Sequence, residues 1–151
     1  MRFYLIAFLL AFVQSSLLTG IFVSSLYAPD LVLLYLFYSL YAQTRLDIEK
    51  PVISGFFLDL MYDTLGWNML GKLTASFFLE LIKSRYILVS RLSVLVSYMA
   101  VAILEHALRF FLFRLKYYYS FSPALFMLGL VTEGLFLMTF TSFIIKGNAK
   151  A

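Results

Sequence analysis

Apolar stretches interrupted by three prolines and by clusters of charge divide this chain into six segments. The first runs from residue 3 to residue 27 without a charge, about 25 residues, which is enough to cross a hydrocarbon layer of roughly 30 Å as a helix. No clear Ala-x-Ala site follows its apolar start, so it is predicted to be a retained transmembrane helix and not a cleaved signal peptide. Segment 31–42 follows Pro29-Asp30, and segment 52–62 follows the charged turn from Arg45 to Pro51. Segment 67–82 comes after the turn Asp63-Thr64-Leu65-Gly66, segment 88–108 after Lys83-Ser84-Arg85, and segment 123–145 after residues 114–120. The second and third fall short of the usual span of about 17 residues, which predicts tilting, local thinning of the bilayer or a short helix pair sunk within a bundle. Four spans with one re-entrant hairpin is the alternative.

Composition turns this pattern into a class. With 63% hydrophobic and 13% charged residues in 151, a water-soluble enzyme, a nucleic-acid reader and a disordered tail all lack the polar surface they need. An all-α integral membrane protein of six transmembrane helices, forming one domain over residues 1–151, is expected. The twelve Lys+Arg against eight Asp+Glu are then a topology signal. Arg2, Arg45, Lys50, Lys83, Arg85, Arg91, Lys146 and Lys150 fall on one side, against Arg109, Arg114 and Lys116, with Lys72 near the same outer side. Both termini are therefore expected in the cytoplasm. Tyr27, Tyr41, Trp67, Tyr86 and the run from Tyr117 to Tyr119 lie near span ends, as interfacial belts would. The absence of cysteine excludes disulfides and thiolate chemistry.

Small residues and embedded charges mark candidate sites. Ser16, Gly20 and Ser24 recur at intervals of four on the first segment and predict a close-packing stripe, used either within the bundle or by a partner's transmembrane helix. Asp59 lies well inside the third segment and needs a partner, because a lone charge in the bilayer is costly; Asp63 follows one turn later, where the helix breaks. Capping of a neighbouring helix by Asp59, partner recognition and a paired-carboxylate site are all open on sequence. Glu105 and Arg109 are spaced for an ion pair along one helix, and Glu80 with Lys83 likewise. Lys72 is expected to snorkel to the outer interface. Glu133, about ten residues into the last segment, must face protein: Lys72, Arg109 or a partner chain. The single histidine, His106, has no His-Glu-x-x-His spacing, and no nucleophile elbow, phosphate loop or dinucleotide fingerprint occurs. No catalysis, metal or other cofactor is expected.

Pro29-Asp30 before an apolar segment, then Gly55-Phe56-Phe57-Leu58-Asp59-Leu60, then Leu65-Gly66 before another, resembles the MreD family of bacterial rod-shape-determining membrane proteins. At the position of Asp63 that family usually has a small residue, and the turn here is slightly shorter. The resemblance implies a non-enzymatic subunit of the elongasome in the bacterial cytoplasmic membrane, supporting side-wall peptidoglycan synthesis and rod shape. Its partners would be a bitopic MreC-like protein and, through it, MreB, RodA and the transpeptidase PBP2. It also implies a fold similar to the substrate-binding membrane subunits of energy-coupling-factor transporters, with Pro29, Gly55, Asp59 and Gly66 as motif positions. The alternative function is that of such a subunit, binding a vitamin-sized molecule in membrane, although a vitamin site needs several convergent polar groups.

Overall fold

The computed structural model describes residues 1–148 except Val23, Leu65 and Val89, with side chains through residue 139. Lys146 and Lys150, counted above for orientation, have side chains outside the described residues. The described residues are all-helical, with six helices: α1 (Arg2–Ile21), α2 (Leu31–Tyr41), α3 (Glu49–Tyr62), α4 (Trp67–Arg85), α5 (Arg91–Lys116) and α6 (Pro123–Asn148).

Local chemistry sets their limits. Asp30 caps α2 by accepting the Leu33 N–H at 2.8 Å, and Ser90 caps α5 by accepting from Ser93. Between α3 and α4 the chain reverses through two left-handed residues, Asp63 at φ 53° and Gly66 at φ 80°. Asp is among the few non-glycine residues that tolerate that conformation, and Gly adopts it without strain. Thus α3 and α4 form a tight hairpin, the most extensive helix pairing in the fold.

Two expectations need correction. The first helix ends at Ile21, not at Tyr27, and it carries a π-helical segment at Gln14–Leu18. α5 extends to Lys116, so Arg109 and Arg114, assigned above to an outer connection, lie on a helix.

Six helices were expected and six occur, yet among the described residues only Arg2–Ile21 and Arg91–Lys116 are long and apolar enough to cross a membrane. α2, at 11 residues, and the described apolar part of α6, Pro123–Thr139, are shorter. α3 has 14 residues, about 21 Å of rise, and α4 carries Lys72, Glu80 and Lys83. Six full spans therefore do not follow from helix length and composition.

Large apolar side chains are exposed on several helices, while a few charged ones are buried. Leu5, Leu9, Phe12 and Leu17 on α1, Leu92 and Val96 on α5, and Met127, Val131 and Leu135 on α6 face outward. Lys72, Glu105 and Glu133 are each 0% exposed. The core between them is built from Phe37 and Leu40 of α2, Leu79 of α4, Tyr98 and Val101 of α5, and Leu137 of α6. Exposed apolar faces of this extent mark surfaces that meet a membrane or another protein.

Candidate functional site: a buried charge network and a capped hairpin

The short α2 creates the site. At about 16 Å of rise it begins inside the bundle, so its first N–H groups have no access to water and must find partners in protein. Three side chains supply them. Asp30 Oδ1 takes the Leu33 N–H, Gln14 Oε1 from α1 takes the Val32 N–H at 3.3 Å, and Glu133 Oε1 from α6 takes the Asp30 N–H at 2.7 Å. Gln14 falls on the same face of α1 as buried Ala7 and Ala11, at i+7 and i+3, which is why α1 reaches α2 with a polar group.

Around this terminus the charges of four elements close on one another. Lys72 of α4 donates to Asp30 Oδ2 at 2.5 Å and to Glu105 Oε1 of α5 at 2.7 Å, with all three side chains fully buried. Arg109, one turn after Glu105, pairs with it through Nε at 3.0 Å and with Asp30 at 3.5 Å. The same guanidinium donates through Nη1 to Asn68 Oδ1 at 3.2 Å and through Nη2 to His106 Nδ1 at 2.5 Å. Since Arg only donates, His106 Nδ1 must accept, and the ring proton sits on Nε2 and is given to Glu133 Oε1 at 2.7 Å. Tyr98 donates its hydroxyl to the other oxygen of Glu133 at 2.9 Å. Glu133 thus accepts from three donors on two segments, the start of α2 and α5. Replacing Tyr98 by Phe leaves one of these carboxylate bonds unmade and is expected to cost about 1.5 kcal/mol, checked by thermal unfolding of the detergent-solubilised protein.

A second carboxylate serves the α3–α4 hairpin. Asp59 Oδ1 accepts the Asn68 N–H at 2.9 Å, the Asn68 side-chain amide at 3.1 Å and the Thr64 hydroxyl at 2.5 Å, while Oδ2 accepts the Met69 N–H at 3.0 Å. Asp59 is therefore the cap of α4, which favours a negative charge at the positive end of the helix. Gly55, one turn earlier, lies against the same segment: an added Cβ would come within 2.3 Å of Met69 Cα. Asn68 links the two clusters, because it binds Asp59 through its amide nitrogen and Arg109 through its oxygen.

Several sequence expectations meet here. Asp59 caps a neighbouring helix, Asp63 ends α3, and Glu105 and Arg109 form their ion pair. Glu80 and Lys83 pair at 3.2 Å, and Lys83 also donates to the Leu40 and Gln43 carbonyls. Glu133 faces protein, but through Tyr98, His106 and the Asp30 N–H in place of Lys72 or Arg109. Lys72 does not snorkel; its ammonium is held inside by two carboxylates. Pro29 is buried in the turn before Asp30. The stripe of Ser16, Gly20 and Ser24 is not used in bundle packing. Ser16 and Gly20 are exposed, nothing lies within 4 Å of a Cβ built on Gly20, and Ser24 falls beyond the helix end. The inward face of α1 is instead Ala7, Ala11 and Gln14. Asp30, Tyr98, Gln14 and Asn68 were missed as site residues. Only Asp30 carried a local signal, an N-cap type directly before an apolar run.

Among the described residues no group of three His, Cys, Asp or Glu is arranged to hold a metal ion. Comparison with protein-family models, curated proteins and solved structures returns no match.

Proposed function

We propose that this chain is an MreD-like, non-enzymatic membrane scaffold that binds the transmembrane helix of an MreC-like partner in a bacterial cytoplasmic membrane and so supports the elongasome. The observation that carries this reading is how the polar groups are spent. Lys72, Glu105, Arg109, His106, Glu133 and Asp30 are committed to one another, and Asp59 to the cap of α4. A vitamin-type binding subunit would need such groups turned toward a ligand, so the closed network favours the scaffold.

The exterior that remains for recognition is apolar, and on α1 it carries a notch of small residues at Ser16 and Gly20 beside Phe12 and Leu17. Small exposed residues on an apolar helix let a second helix approach closely in a bilayer. Full burial of Lys72 and near-full burial of Arg109 remove two outer charges from the orientation count. Among the described side chains this leaves Arg2, Arg45, Lys50, Lys83, Arg85 and Arg91 against Arg114 and Lys116, in favour of a cytoplasmic N-terminus.

Gly20→Leu fills the notch without touching the bundle. In detergent extracts of cells that co-express a tagged MreC-like protein, this variant is expected to recover at least about five-fold less partner, a loss of about 1 kcal/mol in association. Unchanged recovery would remove this face from the mechanism, and no recovery by the wild-type chain would overturn the scaffold reading.

A further inference from the structure

At the end of the bundle where α3, α4 and α5 meet, a cavity of about 170 Å³ opens above the buried network. Arg109 forms part of its floor, and Lys116, Asp63, Trp67, Phe113 and Tyr117 are among the residues around it. The three aromatic rings face one another nearly at right angles or tilted, with centroids 4.9 to 6.2 Å apart. Lys116 lies over the Tyr117 ring at 5.4 Å and makes no ion pair among the described residues. The carboxylate of Asp63 is also exposed and without an ion pair or hydrogen bond among the described residues, and its backbone is held in the left-handed region. Non-glycine residues kept in that conformation concentrate at sites of function.

The lining carries both signs of charge. Lys116, free of an ion pair among the described residues, suits a phosphate. Asp63, likewise free, suits an ammonium. A purely anionic ligand would be repelled by Asp63, and a purely cationic one by Lys116. We propose that the cavity binds a phosphoethanolamine group, carried by a zwitterionic phospholipid of the leaflet at that end, with the phosphate toward Lys116 and the ammonium toward Asp63. The assignment to a leaflet rests on the membrane reading above, and it is independent of any protein partner.

Trp67 is the single tryptophan of the chain and borders the cavity, so its emission reports occupancy without a label. Detergent-solubilised protein would be titrated with dihexanoyl phosphatidylethanolamine, dihexanoyl phosphatidylglycerol and free phosphoethanolamine. The expected result is a saturable change with the ethanolamine lipid, about five-fold tighter than with the glycerol lipid, reduced to near parity by Asp63→Asn. Asn tolerates the same backbone conformation, so this variant removes the charge and leaves the turn intact. Lys116→Gln is expected to weaken both lipids by about two- to five-fold. Saturation by free phosphoethanolamine as well would show that the headgroup suffices, and saturation by the lipid alone that the acyl chains contribute. Equal affinity for the two lipids in the wild-type protein, no effect of Asp63→Asn, or a response that never saturates would overturn the proposal. Because no MreC-like protein is present, failure here leaves the scaffold reading to its own test.

Discussion

Lys72→Met is expected to destabilise the fold by about 3–5 kcal/mol, the largest effect of any single replacement considered, because it leaves the fully buried carboxylates of Asp30 and Glu105 without their shared cation. Methionine fills nearly the same volume, so the loss reports charge and not a cavity. The remaining cation, Arg109, already contacts both carboxylates and cannot replace an ammonium that lies within 2.7 Å of each. Thermal unfolding in detergent, followed by helicity, gives the single-variant cost. Adding Asp30→Asn to Lys72→Met removes one stranded charge while keeping a capping side chain at α2, and should recover at least half of the loss. Additive costs in that double variant would mean that Lys72 and Asp30 act independently, contrary to their ion pair.

The second large effect is expected at Gly55. A methyl group there meets Met69 Cα at 2.3 Å, Met69 N at 2.7 Å and the Asn68 carbonyl oxygen at 2.8 Å. All three are backbone atoms, so no rotamer change relieves the clash. α4 must move away from α3, and the movement stretches the bonds from Asn68 and Met69 to Asp59. Gly55→Ala should therefore cost about 3 kcal/mol, the upper end for overpacking. Gly20→Ala, where nothing lies within 4 Å, is the control and should stay within about 0.5 kcal/mol of wild type. Similar melting of Gly55→Ala and wild type would show that the hairpin can open without loss.

What could be read from the chain beforehand follows from how far apart the interacting residues are. The helix starts at Leu31 and Trp67 and the break after Tyr62 were legible, because Pro29-Asp30 and the residues from Asp63 to Gly66 act on their own backbone. The Glu105–Arg109 pair was legible for the same reason, being one turn apart. The partners of Asp30, Lys72 and Glu133 were not. Lys72 is 42 residues from Asp30, and Glu133 is 35 from Tyr98, so only the three-dimensional arrangement joins them. Lys72 was expected at an interface because it lies near a helix end; it is buried because α4 packs beside the inward start of α2, whose cap needs a cation. The stripe on α1 has no packing role for a different reason. Ser16 and Gly20 lie away from the inward face of Ala7, Ala11 and Gln14, and Ser24 follows the helix end at Ile21.

α1 also carries two surfaces with separate duties. Its inward residues Ala7, Ala11 and Gln14 share one face, and Gly20 lies away from that face. Up to Ala11 the helix commits its small side chains to α2 and α3; beyond Leu18 its small residue, Gly20, looks outward. One helix can therefore serve as a wall of the bundle along one half and as an open rail along the other. Substitutions on the rail can change what docks there without disturbing the wall.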